Sequence, residues 1–159
     1  MVDISMRVGT PADMARIQEI VEQIWGIGSD FVMEEKYGAV GGERWDRWLV
    51  PKVMSRIWDE IDSLLVTEMD GQVVGFITHT MSGARRVGTI HYNGVAPEAK
   101  GKGIGTLQVE RVLEVFREAG MEYACVGTGL NEGHAPARRV YEKCGFEPVM
   151  DYRTYSRKL

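Results

Sequence analysis

The hydrophobic positions of this 159-residue chain change their spacing along its length. Residues 4–8 read as a short strand. Thr10 and Pro11 then supply a capping hydroxyl and a proline suited to the first turn of a helix. Ile17, Ile20, Val21 and Ile24 follow at i, i+3, i+4 and i+7, which gives that helix one apolar face. Residues 26–62 are less regular. Gly38, Gly41 and Gly42 interrupt them, and Trp45, Trp48, Leu49, Val53 and Ile57 then fall on one helical stripe. Pro51 lies inside the stripe and predicts a kink or two short helices. Trp45, Trp48 and Trp58 read as core packing, with the wall of a substrate pocket as the sharper alternative.

From residue 63 the pattern is that of strands. Residues 64–68 form one, Asp70-Gly71 a tight hairpin turn, residues 73–81 the returning strand, 82–86 a second turn, and 87–95 a third strand. Helical spacing resumes over 103–119, with Val109, Val112, Leu113 and Phe116 on one face and Gly120 as a stop. Residues 123–128 read as a strand and 135–143 as a helix, with Gly145-Phe146 as its exit. The tail, 147–158, predicts one or two final strands. Strands in a block, then alternating with helices, predict a mixed α/β sheet covered by helices on both faces. The length suits a single domain over 1–159.

Composition is that of an ordinary globular chain, with 44% hydrophobic and 26% charged residues, so no disulfide or metal staple is needed. The formal net charge of -4 argues against a nucleic-acid partner, which usually meets a basic face. The two cysteines, Cys125 and Cys144, have no metal-ligand spacing and read as buried free thiols. With no secretory segment and no apolar run long enough to span a membrane, a reducing, cytoplasmic location is expected.

One loop stands out chemically. After a strand come Lys100, Gly101, Lys102, Gly103, Ile104 and Gly105, and then a helix. Glycines let backbone turn tightly and approach a ligand. Free N–H groups at a helix start, with the helix dipole behind them, favour an anion. Two lysines in this loop of an acidic protein strengthen that reading. A Walker A loop is excluded, because no Gly-Lys-Ser/Thr stands at the required spacing. The dinucleotide fingerprint G-x-G-x-x-G is not matched either, since the glycines stand at 101, 103 and 105.

Val95-x-Pro97 followed by Lys100-Gly-Lys-Gly-Ile-Gly105 resembles the acetyl-CoA signature Gln/Arg-x-x-Gly-x-Gly/Ala of the GNAT superfamily of N-acetyltransferases. A second run, from His134 through Ala137, Tyr141 and Gly145-Phe146, resembles that family's Asn-x-x-Ala-x-x-x-Tyr-x-x-x-Gly-Phe. The two come in the right order, one helix and one strand apart. The chain departs at two positions: Lys100 replaces Gln or Arg and loses the guanidinium fork, and His134 replaces Asn.

The resemblance implies a central, mostly antiparallel sheet splayed between its fourth and fifth strands. It implies acetyl-CoA as co-substrate and an amine-bearing small molecule or peptide as acceptor, with no metal, no nucleic acid and no membrane. The cofactor-binding positions it implies are Gly94, Val95, Lys100, Gly101, Lys102, Gly103, Ile104, Gly105, Thr106, His134 and Tyr141. Gly94 would ease a bulge or a close approach. A backbone N–H near Val95 would hold the oxyanion.

Tyr141 matches the tyrosine that protonates the departing thiolate, or else is an aromatic packed on its helix. His91 lies near a position where relatives carry a catalytic Glu, which makes it a candidate base; otherwise it is a packed or surface histidine. Strand alternation puts Asn93, not Tyr92, on the face of His91. Glu34, Glu35, Glu43 and Asp46 are candidates for attracting a cationic acceptor, or form a solvated acidic face. The family's C-terminal strands often mediate dimers, so a homodimer is an open expectation. Two other readings stand beside the enzyme: an acyl-CoA sensor without turnover, and a partner-binding domain that uses the tryptophan-rich segment.

Overall fold

The computed structural model describes residues 2–25 and 29–159; Gly26–Gly28, at the start of the irregular segment, lie outside the described residues. The described residues form five strands and five α-helices. They are β1 (Ile4–Val8), α1 (Met14–Ile24), α2 (Ser29–Tyr37), α3 (Trp45–Asp59), β2 (Leu65–Met69), β3 (Gln72–Ser82), β4 (Val87–Val95), α4 (Ile104–Glu118), β5 (Tyr123–Val126) and α5 (Ala135–Lys143). The strands lie side by side in chain order. Pairing is antiparallel from β1 to β4, and β5 runs parallel to β4. Hairpins can join only antiparallel neighbours, so the parallel pair requires a crossover, and α4 supplies it.

Each sheet face has its own core. On one, Ile17, Ile20 and Val21 of α1 and Leu49, Val53 and Ile57 of α3 pack against Val66, Val74 and Phe76. On the other, Val109, Val112, Leu113 and Phe116 of α4 pack with Tyr141 of α5 against Ile77 and Ile90. The entry to α1 is pinned electrostatically. Asp13 accepts from the Thr10 backbone N–H and takes a bidentate pair from the Arg7 guanidinium, at 2.8 and 2.9 Å. That pairing holds the Asp13 carboxyl at about 2 against its burial.

Away from the cleft, the structure differs from the sequence expectations in four places. First, α3 runs through Pro51 as one helix. The proline removes the bond to the Arg47 carbonyl, but both residues are exposed, so water can take that carbonyl. Second, only Trp45 of the three tryptophans packs on the core, while Trp48 and Trp58 are half exposed. Trp48 instead lines a small hollow of about 300 Å³ with Glu34, Glu43 and Trp45. Third, residues 147–159 carry no strand. A strand needs a ladder partner, and the apolar residues Val149, Met150, Tyr152 and Tyr155 stay exposed. Fourth, Cys125 is exposed, because it shares the exposed face of β5 with Tyr123 while Ala124 and Val126 pack inward, and Cys144 is partly buried.

Candidate active site

The sheet opens where β4 outlasts β5. Their ladder runs from Val87 opposite Tyr123 to Ile90 opposite Val126 and ends there. Gly127 and Thr128 then leave the sheet and line a cleft of about 550 Å³. β4 continues beside β3 to Val95. Ala96 N–H donates to Val74 O at 2.8 Å, and Gly94 stands opposite Phe76. Alternate residues of a strand point their N–H and C=O to opposite edges. The peptide groups of Asn93 and Val95 therefore face the gap, where no strand meets them.

A bulge sets the side-chain phase of β4. Register shifts between Ile77 and His79, so two residues, His91 and Tyr92, oppose Thr78. Tyr92 N–H donates to Thr78 Oγ1 at 3.2 Å. The extra residue overturns the expected alternation. His91 lies against Thr80, and Tyr92 packs near Trp25 with ring centroids 5.9 Å apart, both on the α1 side. Asn93 turns to the α5 side and accepts the Tyr141 hydroxyl proton at 2.8 Å. Gly94 serves close approach rather than the bulge: a Cβ there would stand 2.5 Å from Ile24 and 2.9 Å from Phe76. Its carbonyl also accepts from Gln108 of α4 at 3.3 Å.

The far end of the cleft is built from main chain. A short turn, Pro97–Ala99, leads to Lys100, and Gly101 and Gly103 both adopt φ of 78°. Only glycine holds that conformation without strain. Gly103 caps α4 and has no side chain to satisfy the first helical N–H groups. Those of Ile104, Gly105 and Thr106 are left for a ligand. Val140 of α5 would meet a Cβ on Gly105 at 3.4 Å, so α5 closes tightly over this turn. Lys100 lines the cleft; Lys102 does not, and it is exposed.

The opposite wall comes from the turn Glu132–His134 and from α5. His134 lines the cleft, with Nδ1 against Asn131 Oδ1. Burial, then the Arg138 charge, pushes its pKa down and keeps the ring neutral. Arg138 braces the loop by donating to Gly129 O at 2.6 Å and Asn131 O at 2.9 Å. Tyr141 is 6% exposed. Burial pushes its phenol up to about 12, against the opposing pull of Asn93.

His91 lines the cleft, its Nε2 2.8 Å from the Thr80 hydroxyl and its Nδ1 3.8 Å from Glu60 Oε1. The fold thus brings together Gly94, Val95, Lys100, Gly101, Gly103, Ile104, Gly105, Thr106, His134, Tyr141 and His91, and leaves out Lys102. Sequence reading missed Glu60, Thr80, Arg138 and the α1 end, Ile24-Trp25. Only Ile24 carried a signal, as the last residue of the apolar face of α1.

The chain is similar to known proteins in sequence and in fold. An uncharacterized N-acetyltransferase of Methanocaldococcus jannaschii is 32% identical over 111 residues, 66% of this chain and 46% of the relative. A mycothiol acetyltransferase of Beutenbergia cavernae is 30% identical over 110 residues, 69% of this chain and 33% of the relative. The chain therefore spans a third to a half of the length of these curated relatives. The Paia N-acetyltransferase of Thermoplasma acidophilum, solved with coenzyme A, superposes with a TM-score of 0.73 at 17% identity, covering 95% of this chain and 93% of that one. The acetyltransferase (GNAT) family model matches residues 29–146, most of the chain and both walls of the cleft, and the chain belongs to that family.

Proposed function

We propose that the chain is an acetyl-CoA-dependent N-acetyltransferase, acting as one domain over residues 1–159 on an amine of a small molecule or peptide. The observation that carries this reading is the continuity of the cleft, from the bare N–H groups of α4 to the open peptide edge of β4. The first suits a pyrophosphate. The second suits an amide-containing arm that pairs with backbone and presents a thioester to His91, Asn93 and Tyr141.

In this proposal Gly101, Gly103, Ile104, Gly105 and Thr106 bind phosphate oxygens through backbone N–H groups. Lys100 adds charge, with Lys102 contributing only at longer range. Gly94, Val95 and His134 hold the arm. The amine attacks the thioester carbon directly, with proximity supplying much of the acceleration. Val95 N–H faces the gap and stabilises the oxyanion. His91 takes the amine proton.

Tyr141 receives a sharper role than a simple proton donor. At about 12 its phenol is a weaker acid than a thiol at about 8.5, so full transfer to sulfur runs uphill by about 5 kcal/mol. The hydroxyl instead turns from Asn93 and hydrogen-bonds the thiolate as charge develops there.

The reading places the enzyme in a reducing cytoplasm, supported by two free cysteines of which one is exposed. Among the described residues no helix is long and apolar enough to cross a membrane. A homodimer remains part of the proposal, checked by light scattering. The direct test is free thiol release from acetyl-CoA across a panel of primary amines. Stabilisation by acetyl-CoA without turnover on any of them would favour the sensor reading instead.

A further inference from the structure

The end of α3 brings a carboxylate to the His91 side of the cleft. Glu60 follows the last residue of α3. Its side chain is 16% exposed, and Oε1 stands 3.8 Å from His91 Nδ1. Oε2 is buried without a hydrogen-bond partner. A buried carboxylate oxygen left bare is unfavourable unless a positive charge or a donor faces it. Two imidazoles are near. His79 of β3 is buried edge-on to Phe116, and its Nδ1 also lacks a partner. Burial pushes the His79 pKa down against the pull of Glu60, so His79 stays neutral. The His91 side chain is 34% exposed and can keep water around a charge. Among the described residues, Glu60 and His79 are the titratable groups facing His91.

The two His91 nitrogens meet unequal partners. Nε2 bonds the Thr80 hydroxyl, which can donate or accept. Nδ1 faces the Glu60 carboxylate, an acceptor, at 3.8 Å. The proton of the neutral ring is therefore held on Nδ1, and the lone pair lies on Nε2. We propose that Glu60 is the positioning residue of the reaction: its carboxylate holds the His91 proton on Nδ1, leaves Nε2 basic, and stabilises the imidazolium formed when the amine loses its proton. The amine N–H bond breaks, the Thr80 hydroxyl gives up its hydrogen bond to Nε2, an Nε2–H bond forms, the electron pair stays on the nitrogen of the new amide, and no proton passes to Glu60. The inference rests on His91 as the base.

The test is nitrogen-detected NMR of the His91 ring across pH 5–9 in the protein without ligands, with H91Q to assign the signals. Glu60→Gln removes the anion and keeps the shape. The expected result is a loss of the Nδ1–H preference, read from the two ring-nitrogen signals of the neutral imidazole. Glu60→Ala loses it in the same way, and Glu60→Asp restores part of it. In Glu60→Gln and Glu60→Ala kcat falls about tenfold or more, while KM for acetyl-CoA stays within twofold. An unchanged tautomer in both Glu60→Gln and Glu60→Ala overturns the Glu60 assignment whatever the activity. A changed tautomer with unchanged kcat keeps the pairing and overturns His91 as the base.

Discussion

The two ends of the cleft are made of different materials. Around Gly103 the site is main chain: two glycines at φ of 78°, an uncapped helix start, and one lysine of the two that the loop carries. Around His91 it is side chain, from three separate places: Glu60 after α3, Thr80 on β3, and His91 at a bulge of β4. A backbone site depends on local conformation and tolerates most changes of side chain. A side-chain site depends on register, so one extra residue in β4 decides which groups meet. On the proposed reading, the first kind would bind a group common to many partners, and the second would carry the chemistry.

This contrast can be broken from either end. Gly103→Asp should have the largest effect, lowering acetyl-CoA affinity at least a hundredfold by calorimetry. It adds left-handed strain and puts an anion at the positive end of α4. Unchanged affinity would sink the loop assignment. Tyr141→Phe should lower kcat by about 10²-fold while acetyl-CoA binding stays within twofold. Equal turnover would remove the hydroxyl from the mechanism. The same change strips Asn93 of its donor and should cost about 1 kcal/mol of stability in denaturant.

Acid should weaken the β1–α1 junction without touching either end of the cleft. The folded Asp13 carboxyl lies at about 2, below its ordinary 3.8, so its contribution is complete above pH 4 and lost as pH falls toward 2. The loss should be about 2 kcal/mol and should vanish in Asp13→Asn, measured by urea unfolding. Smallest of all, Lys100→Ala should weaken acetyl-CoA binding by about threefold and Lys102→Ala by less than twofold, in keeping with a single surface charge near a helix start. Equal effects of the two lysines would erase the distinction drawn from the cleft.

The glycine loop was legible because its requirement is local. Gly101 and Gly103 mark positive φ in the sequence, and the helix that follows announces itself by its own period. Tyr141 was legible through its spacing to Gly145-Phe146. The β4 bulge was not, because His91-Tyr92-Asn93 reads as simple alternation until Thr78 captures the Tyr92 N–H. Glu60 was hidden for a similar reason: it is one acidic residue among several in a segment without strong periodicity, and only the end of α3 delivers it to His91. The tail misled in the other direction, since its strand-like pattern finds no ladder to join.

By itself, then, the sequence determined the order and type of the main elements, the two faces of the sheet and the glycine turn at the start of α4. Each of these depends on short-range backbone preference or on a repeating apolar pattern. Tertiary structure alone decided where β4 and β5 part, which side of the sheet Asn93 and His91 face, that Lys102 stays outside, and which carboxylate stands beside the imidazole. Those outcomes depend on register and on contacts between residues far apart in the chain, and no local pattern encodes them.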